Sequence, residues 1–127
     1  MKYCVMSIKP EFYEKIKNGK KLIEYRKVAP KGYDKIIFYV SAPVKKILGY
    51  IVVDKIVTDT PENIWESTKN IGGIDKKYFL DYSKNKSNVS AIFIKSFTEF
   101  KSAIELKEFT PPQNYLFRTD EELSNLD

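Results

Sequence analysis

The chain has 127 residues, of which 43% are hydrophobic and 31% charged, and this size predicts one domain with one core. It contains no histidine and one cysteine, Cys4. Ser-His and Cys-His nucleophile pairs and histidine-ligated metal sites are therefore excluded, and neither a metal nor a cofactor is expected. The formal net charge of +5 is concentrated in residues 1–57, which carry 13 Lys and Arg against 5 Asp and Glu.

Hydrophobic periodicity and turn residues predict nine elements in the order β-α-β-β-β-α-α-β-β. Strands are predicted over residues 3–8, 20–27, 35–41, 45–59, 88–100 and 111–118. Helices are predicted over residues 10–19, 61–69 and 75–84. Pro10 and Pro61 suit first helical turns, and Asp75 suits an N-cap. Gly49 marks a bulge or bend in the long strand 45–59, and 102–109 reads as either a short strand or a turn of helix.

This order differs from the alternating βαβ units of a doubly wound sheet. Three successive strands, a helical insertion and closing strands predict a mostly β, α+β fold: a small mixed β-barrel with peripheral short helices. Residues 1–118 are predicted to form this single domain. Residues 119–127 are predicted to be an acidic, flexible tail.

The stretch "NGKKLIEYRK", residues 18–27, concentrates charge on a predicted strand. Strand side chains alternate between two faces, so Leu22, Glu24 and Arg26 should share one face. If that face lines a cleft, Arg26 is the natural partner of a half-buried Glu24. The alternative is an exposed charge pair worth less than about 1 kcal/mol.

Four stretches of the chain form a recognisable set: "SIKPEFYEKIKNGKKLIEYRK", "FYVSAPVKKILGYIVVDKI", "TPENIWE" and "PPQNYLFR". Together they resemble the ASCH family of PUA-like β-barrels, and in particular its single-domain bacterial and archaeal members described as predicted transcriptional regulators. The family hallmark, Gly-x-Lys-x-x-Glu-x-Arg, stands here as Gly19, Lys21, Glu24 and Arg26. The resemblance implies a barrel with a cleft between its strands and the first helix, lined by the hallmark residues.

The resemblance also implies two kinds of activity. Relatives are proposed to bind RNA or its components, some hydrolyse N4-acylated cytidine with the motif lysine, and others are ribonucleases. Lys21 and Glu24 are accordingly the candidate catalytic residues. Glu24 stands where the acetylcytidine hydrolases have threonine, and their further catalytic glutamate has no evident counterpart in this chain.

The remaining candidates are ligand-binding residues, each with a structural alternative. Lys9 precedes a helix N-terminus, which attracts phosphate, although Ser7 could act there as a plain helix cap. Lys27 could contact phosphate or, with Lys20, lower the pKa of Lys21. Tyr39 could stack on a base, or it could pack in the core, and Ser41 ends the same strand.

The sequence therefore predicts a module that binds RNA, a nucleotide or a modified nucleoside in a basic cleft formed by Lys9, Arg26 and Lys27. The alternative is a metal-independent hydrolase that uses Lys21 and Glu24. A regulator that binds DNA or protein ranks last, because no helix-turn-helix signature is present. The absence of a signal peptide, of a long apolar run and of a second cysteine predicts a cytoplasmic protein without a membrane partner.

Overall fold

The computed structural model describes residues 2–109 and 115–118, which form one mixed sheet and three short helices. The strands are β1 Tyr3–Ile8, β2 Ile23–Arg26, β3 Lys35–Val40, β4 Lys46–Asp59, β5 Val89–Ile104 and β6 Tyr115–Arg118. The helices are α1 Pro10–Lys17, α2 Pro61–Thr68 and α3 Lys76–Tyr82, with a 3₁₀ turn at Leu106–Glu108.

The sheet has the order β2-β5-β4-β3-β1-β6 and curls into a half-barrel. β1 runs parallel to β3 and to β6, whereas the other neighbouring pairs are antiparallel. β4 and β5 are 14 and 16 residues long, and shifts in their register let them bend around the core. The predicted α+β, mostly β fold with peripheral short helices is confirmed.

Gly49 lies at one of these register shifts, as the sequence predicted. A Cβ atom at this position would lie 2.6 Å from the carbonyl oxygen of Thr98 and 2.8 Å from the hydroxyl oxygen of Tyr13. Only glycine therefore allows β4 to approach β5 and α1 this closely.

The predicted helix starts are largely confirmed. The Asp75 carboxylate accepts a hydrogen bond from the Tyr78 N–H at 2.7 Å, and the Thr60 hydroxyl accepts one from the Asn63 N–H at 3.3 Å. The N-cap of α1 is instead Lys9, which makes no side-chain capping bond, so the alternative of Ser7 as a helix cap is wrong.

Some predicted boundaries shift for identifiable reasons. The strand predicted over 20–27 is confined to Ile23–Arg26, because the N–H groups of Lys20 and Lys21 both donate to the Lys15 carbonyl and close the end of α1. Leu22 precedes the strand and is 45% exposed, so it does not continue the face of Glu24 and Arg26. β5 continues to Ile104, which settles 102–104 as strand. Residues 111–114 of the last predicted strand and the acidic residues 119–127 lie outside the described part of the chain.

Apolar side chains are buried on both faces of the sheet. On the concave face, α1 packs through Tyr13 and Ile16 against a cluster that includes Met6, Phe38 and Ile51. A second cluster attaches α2 and α3 to β2 and β5, and the Trp65 and Phe79 rings lie 5.4 Å apart within it. Full burial of one such side chain contributes about 1.5–3 kcal/mol. These contacts hold α1 and α3 on either side of β2, where the candidate site lies.

Candidate ligand pocket at the mouth of the curled sheet

A pocket of about 360 Å³ opens where the end of β1, the start of α1, β2 and α3 converge. Its polar lining consists of Ser7, Lys9, Lys21, Glu24, Arg26 and Ser41. Its aromatic lining consists of Phe12, Tyr25, Tyr78 and Tyr82. The volume falls within the range of small-ligand sites in proteins.

Lys21, Glu24 and Arg26 form a buried ionic triad on one wall of this pocket. Their exposed fractions are 2%, 5% and 4%, so the alternative of an exposed charge pair is wrong. The Glu24 carboxylate accepts a hydrogen bond from the Arg26 Nη2 at 2.7 Å and lies 3.7 Å from the Lys21 Nζ. One carboxylate thus faces two cations, and the triad has a net charge of +1.

Arg26 also joins two strands that no backbone ladder connects within the described residues. Its Nη2 donates to the Ser7 carbonyl of β1 at 2.7 Å, while its own strand pairs with β5 on the other side. The Tyr82 hydroxyl contacts the open edge of β2, where it accepts from the Lys27 N–H at 3.2 Å. The pocket therefore lies at the seam between β1 and β2.

Lys21 is held from several sides. Its Nζ donates to the Gly72 carbonyl at 2.8 Å and lies 4.8 Å from the Tyr25 ring centroid and 5.4 Å from that of Phe12. Burial is the main cause that lowers the pKa of Lys21 below its ordinary value; the Glu24 carboxylate opposes this shift. The positive charges of Arg26 and Lys15 add to the lowering, whereas the sequence had pointed to Lys20 and Lys27.

The pocket rim carries Lys9 and Ser41. Lys9 is exposed, and its Nζ donates to the Tyr78 hydroxyl at 3.2 Å and lies 5.5 Å from the centroid of the same ring. Ser41 is placed at the rim because its N–H donates to the Ile8 carbonyl at 2.9 Å. A cation and a hydroxyl thus both border the opening.

Two predicted ligand-binding residues are not brought into the pocket lining. The Lys27 ammonium lies 5.1 Å from the Tyr82 ring centroid, and Lys27 is not among the residues that line the pocket. Tyr39 belongs to the convex face of the sheet, where its ring lies 6.2 Å from that of Phe117. β3 residues alternate between faces, and the pocket lies on the other side from Tyr39.

The aromatic wall of the pocket was not predicted from the sequence. Tyr78 and Tyr82 are four residues apart on α3, so one helix face presents both rings to the pocket. That spacing was the available signal. The carbonyl of Gly72 could not be predicted as a partner of Lys21, because 51 residues separate the two in sequence.

The described residues contain no group of three or more Cys, Asp or Glu side chains arranged to hold a metal ion. None of the helices described is both long and apolar enough to cross a membrane.

This geometry defines a class of protein: a small α+β domain with a curled mixed sheet and a cationic, aromatic-lined pocket at the β1–β2 seam. The sequence model of the ASCH domain matches residues 6–111. The chain therefore belongs to the ASCH domain family, as the hallmark residues indicated.

Relatives from Zymomonas mobilis share this fold. The chain is 26% identical over 133 residues to an ASCH domain-containing ribonuclease of Zymomonas mobilis subsp. mobilis, covering 98% of this chain and 90% of the relative. The crystal structure of an ASCH protein from Zymomonas mobilis matches with a TM-score of 0.77 and 25% identity, over 88% of this chain and 84% of that one. A mutant form of that protein matches with a TM-score of 0.78 and 24% identity, over 89% and 87% of the two chains.

Proposed function

We propose that this protein binds single-stranded RNA, or a nucleotide or modified nucleoside, in the pocket at the β1–β2 seam. The observation that carries the proposal is the combination of Lys9 and Arg26 with four aromatic side chains in one opening. Cationic side chains neutralise phosphate, and aromatic rings accept stacked bases whatever their sequence. The relative named as a ribonuclease supports RNA as the ligand class.

The pocket geometry assigns different tasks to its cations. Arg26 is committed to Glu24 and to the Ser7 carbonyl through one nitrogen, Nη2, which fixes its guanidinium plane at the pocket wall. Lys9 is exposed and bound only loosely to Tyr78, so it can turn toward a phosphate. We therefore assign Lys9 to phosphate contact. We assign to Arg26 the recognition of a phosphate or a base edge by a guanidinium group that is already fixed in place.

The proposal is tested by the binding of a fluorescein-labelled 12-nucleotide oligouridylate, measured by anisotropy at several salt concentrations. With two or three phosphate contacts to a single strand, affinity should fall about sevenfold to eighteenfold between 50 and 200 mM salt. Lys9→Gln should weaken binding about five- to tenfold and make the salt dependence shallower, because one phosphate contact is lost.

Lys95→Gln is the matched control, since it removes the same charge from an exposed β5 position outside the pocket lining. Its affinity should stay within about twofold of the wild type, as for a rim charge that makes no contact. Equal effects of the two substitutions would show general attraction to the basic surface and would overturn the pocket as the RNA site.

A second candidate function is hydrolysis of RNA or of a modified nucleoside such as N4-acetylcytidine, without a metal. The observation that favours it is that the buried Lys21 lies beside the Glu24 carboxylate. Burial lowers the pKa of Lys21, so a larger fraction of its amine is neutral at a given pH than in an exposed lysine. A neutral amine can act as a base or a nucleophile, and the carboxylate can take up and return the proton.

For this function, wild-type protein should turn over a short RNA or N4-acetylcytidine, and Lys21→Met should lose about a hundredfold or more of the rate. Below the pKa of Lys21 most molecules carry the charged amine, so the rate should rise with pH until that pKa is passed. Circular dichroism and urea unfolding check that Lys21→Met is folded. Absence of turnover in the wild type, or equal turnover by the folded variant, contradicts the hydrolase.

We further place the protein in the cytoplasm, on the basis of its single buried cysteine, Cys4.

We also take residues 1–118 as the ligand-binding domain. The acidic residues 119–127 are then a tail that follows this domain.

A further inference from the structure

Lys15 holds the turn between α2 and α3 at a point next to Lys21. The Lys15 Nζ donates to the Gly73 carbonyl at 2.9 Å, while the Lys21 Nζ donates to the preceding carbonyl, that of Gly72, at 2.8 Å. Two ammonium groups thus bind successive peptides of one turn. Because neighbouring Cα atoms are about 3.8 Å apart, the two charges lie within roughly 10 Å of each other.

The part of the turn that Lys15 holds packs directly on the Lys21 side chain. A Cβ atom at Gly73 would lie 2.5 Å from the Cβ of Lys21 and 2.8 Å from its Cγ. The φ angle of Gly73 is 71°, in the left-handed region that favours glycine. A movement of this peptide therefore displaces the Lys21 side chain, and the hydrogen bond from Lys15 restrains that movement.

The backbone of Lys15 holds Lys21 from the other side. The Lys15 carbonyl accepts hydrogen bonds from the Lys20 N–H at 2.9 Å and from the Lys21 N–H at 3.1 Å. One residue thus contacts the backbone of Lys21 directly and its side chain through Gly73. Lys15 itself is half-buried and lies outside the pocket lining, so it acts on the pocket through Lys21.

Lys15 also contributes charge to the surroundings of Lys21. Burial is the largest cause that lowers the pKa of Lys21, the Glu24 carboxylate opposes it, and the positive charges of Arg26 and Lys15 add to the lowering. The turn faces Lys21 with the Gly72 carbonyl, and α3 contributes tyrosines to the pocket. Among the described residues, Lys15 is therefore the charged group from outside β2 that acts on the Lys21 ammonium.

We propose that Lys15 is a positioning residue for Lys21. Its ammonium holds the Gly73 peptide against the Lys21 side chain and keeps a second positive charge beside the turn. The Lys21 amine is thereby kept between the Gly72 carbonyl and the Glu24 carboxylate. This inference rests on the proposed function only for its effect on a reaction rate, because the positioning is a property of the folded protein without a ligand.

The test follows the lysine ¹³Cε signals of the ligand-free, full-length protein by NMR as the pH is raised. The Lys21 signal is assigned as the one that is lost in Lys21→Met. In Lys15→Met the titration midpoint of Lys21 should rise by about half to one pH unit, because a nearby positive charge and a restraint are removed. Lys15→Arg keeps the charge and a donor, so its midpoint should stay within about 0.2 pH units of the wild type.

The Lys15→Met variant is expected to fold. Its backbone carbonyl still closes the end of α1, and the Leu22 N–H still donates to the Ile71 carbonyl at 2.8 Å, which keeps the turn attached. Circular dichroism checks the fold.

Lys20→Met is the matched control. It removes the same charge from the residue next to Lys21, at an exposed position that is not among the causes of the Lys21 shift. The midpoint of Lys21 should stay within about 0.2 pH units of the wild type. An equal rise in Lys15→Met and Lys20→Met, no rise in Lys15→Met, or a rise in Lys15→Arg as large as in Lys15→Met overturns the positioning role.

A rate measurement separates this inference from the hydrolase function. With N4-acetylcytidine or a short RNA as substrate, the rising limb of the rate–pH profile should move to higher pH in Lys15→Met, by the same amount as the NMR midpoint. A moved midpoint together with no turnover by the wild type supports the positioning and overturns the hydrolase. Turnover by the wild type with an unmoved midpoint in Lys15→Met supports the hydrolase and overturns the positioning.

Discussion

Replacing Arg26 with alanine is expected to lower the free energy of unfolding by about 3–5 kcal/mol, because it removes one partner of a buried ion pair. Among the described residues, the Glu24 carboxylate, 5% exposed, would keep the Lys21 ammonium at 3.7 Å as its one ion-pair partner. The Ser7 carbonyl at the β1–β2 seam would lose its 2.7 Å donor at the same time. Urea unfolding, extrapolated linearly to water, measures the change.

The matched control is Lys69→Ala, which breaks an ion pair of similar length on the surface. The Lys69 Nζ lies 3.0 Å from Glu66, with side chains 42% and 68% exposed. This substitution should change the free energy of unfolding by less than about 1 kcal/mol. In the cycle of Arg26→Ala, Glu24→Ala and the double variant, the coupling energy should reach about 1–3 kcal/mol. Similar losses for Arg26→Ala and Lys69→Ala would contradict a buried, structural triad.

The second large effect is expected at Gly72, where alanine should lower the free energy of unfolding by about 3 kcal/mol through overpacking. A Cβ atom there would overlap the Tyr25 hydroxyl oxygen and lie 2.8 Å from Cζ of that ring. The ring cannot easily move, since it is buried and its hydroxyl is hydrogen-bonded to Thr68 Oγ1 at 2.7 Å. The loop must shift instead, and the Gly72 carbonyl then leaves Lys21.

The clash can be tested by partial rescue. Tyr25→Phe removes the oxygen that a Cβ at residue 72 would meet, so Gly72→Ala should be less destabilising in that background than in the wild type. Asn70→Ala, an exposed position in the same loop, is the control and should change the free energy of unfolding by no more than about 0.5 kcal/mol. If the cost of Gly72→Ala is the same in both backgrounds, the contact with Tyr25 is not its cause.

The central wall of the site could be predicted because it depends on one short strand. Glu24 and Arg26 lie two residues apart, so the period of a strand places them on one face wherever the strand packs. The same reasoning failed for Leu22, because the hydrogen bonds that close α1 delay the start of β2 until Ile23. Local patterns thus specified which side chains meet, while the neighbouring helix specified where the pattern begins.

The opposite wall could not be predicted in the same way, because it depends on packing between distant segments. Tyr78 and Tyr82 reach the pocket because α3 is anchored through Phe79, whose ring packs against Tyr25 with ring centroids 5.1 Å apart. Tyr39 illustrates the same limit. Its strand has apolar residues on both faces, so sequence alone could not tell which face looks toward the pocket.

The bond from Arg26 to the Ser7 carbonyl has a thermodynamic consequence for any occupant of the pocket. An anion that recruits the Nη2 group must share it with, or take it from, the carbonyl that ties β1 to β2. Ligand affinity and the stability of the β1–β2 contact are then thermodynamically linked. Binding changes the stability of the contact by the same free energy by which the contact changes the affinity. A ligand that leaves this hydrogen bond intact stabilises the folded domain, whereas a ligand that breaks it binds at the expense of the contact between β1 and β2.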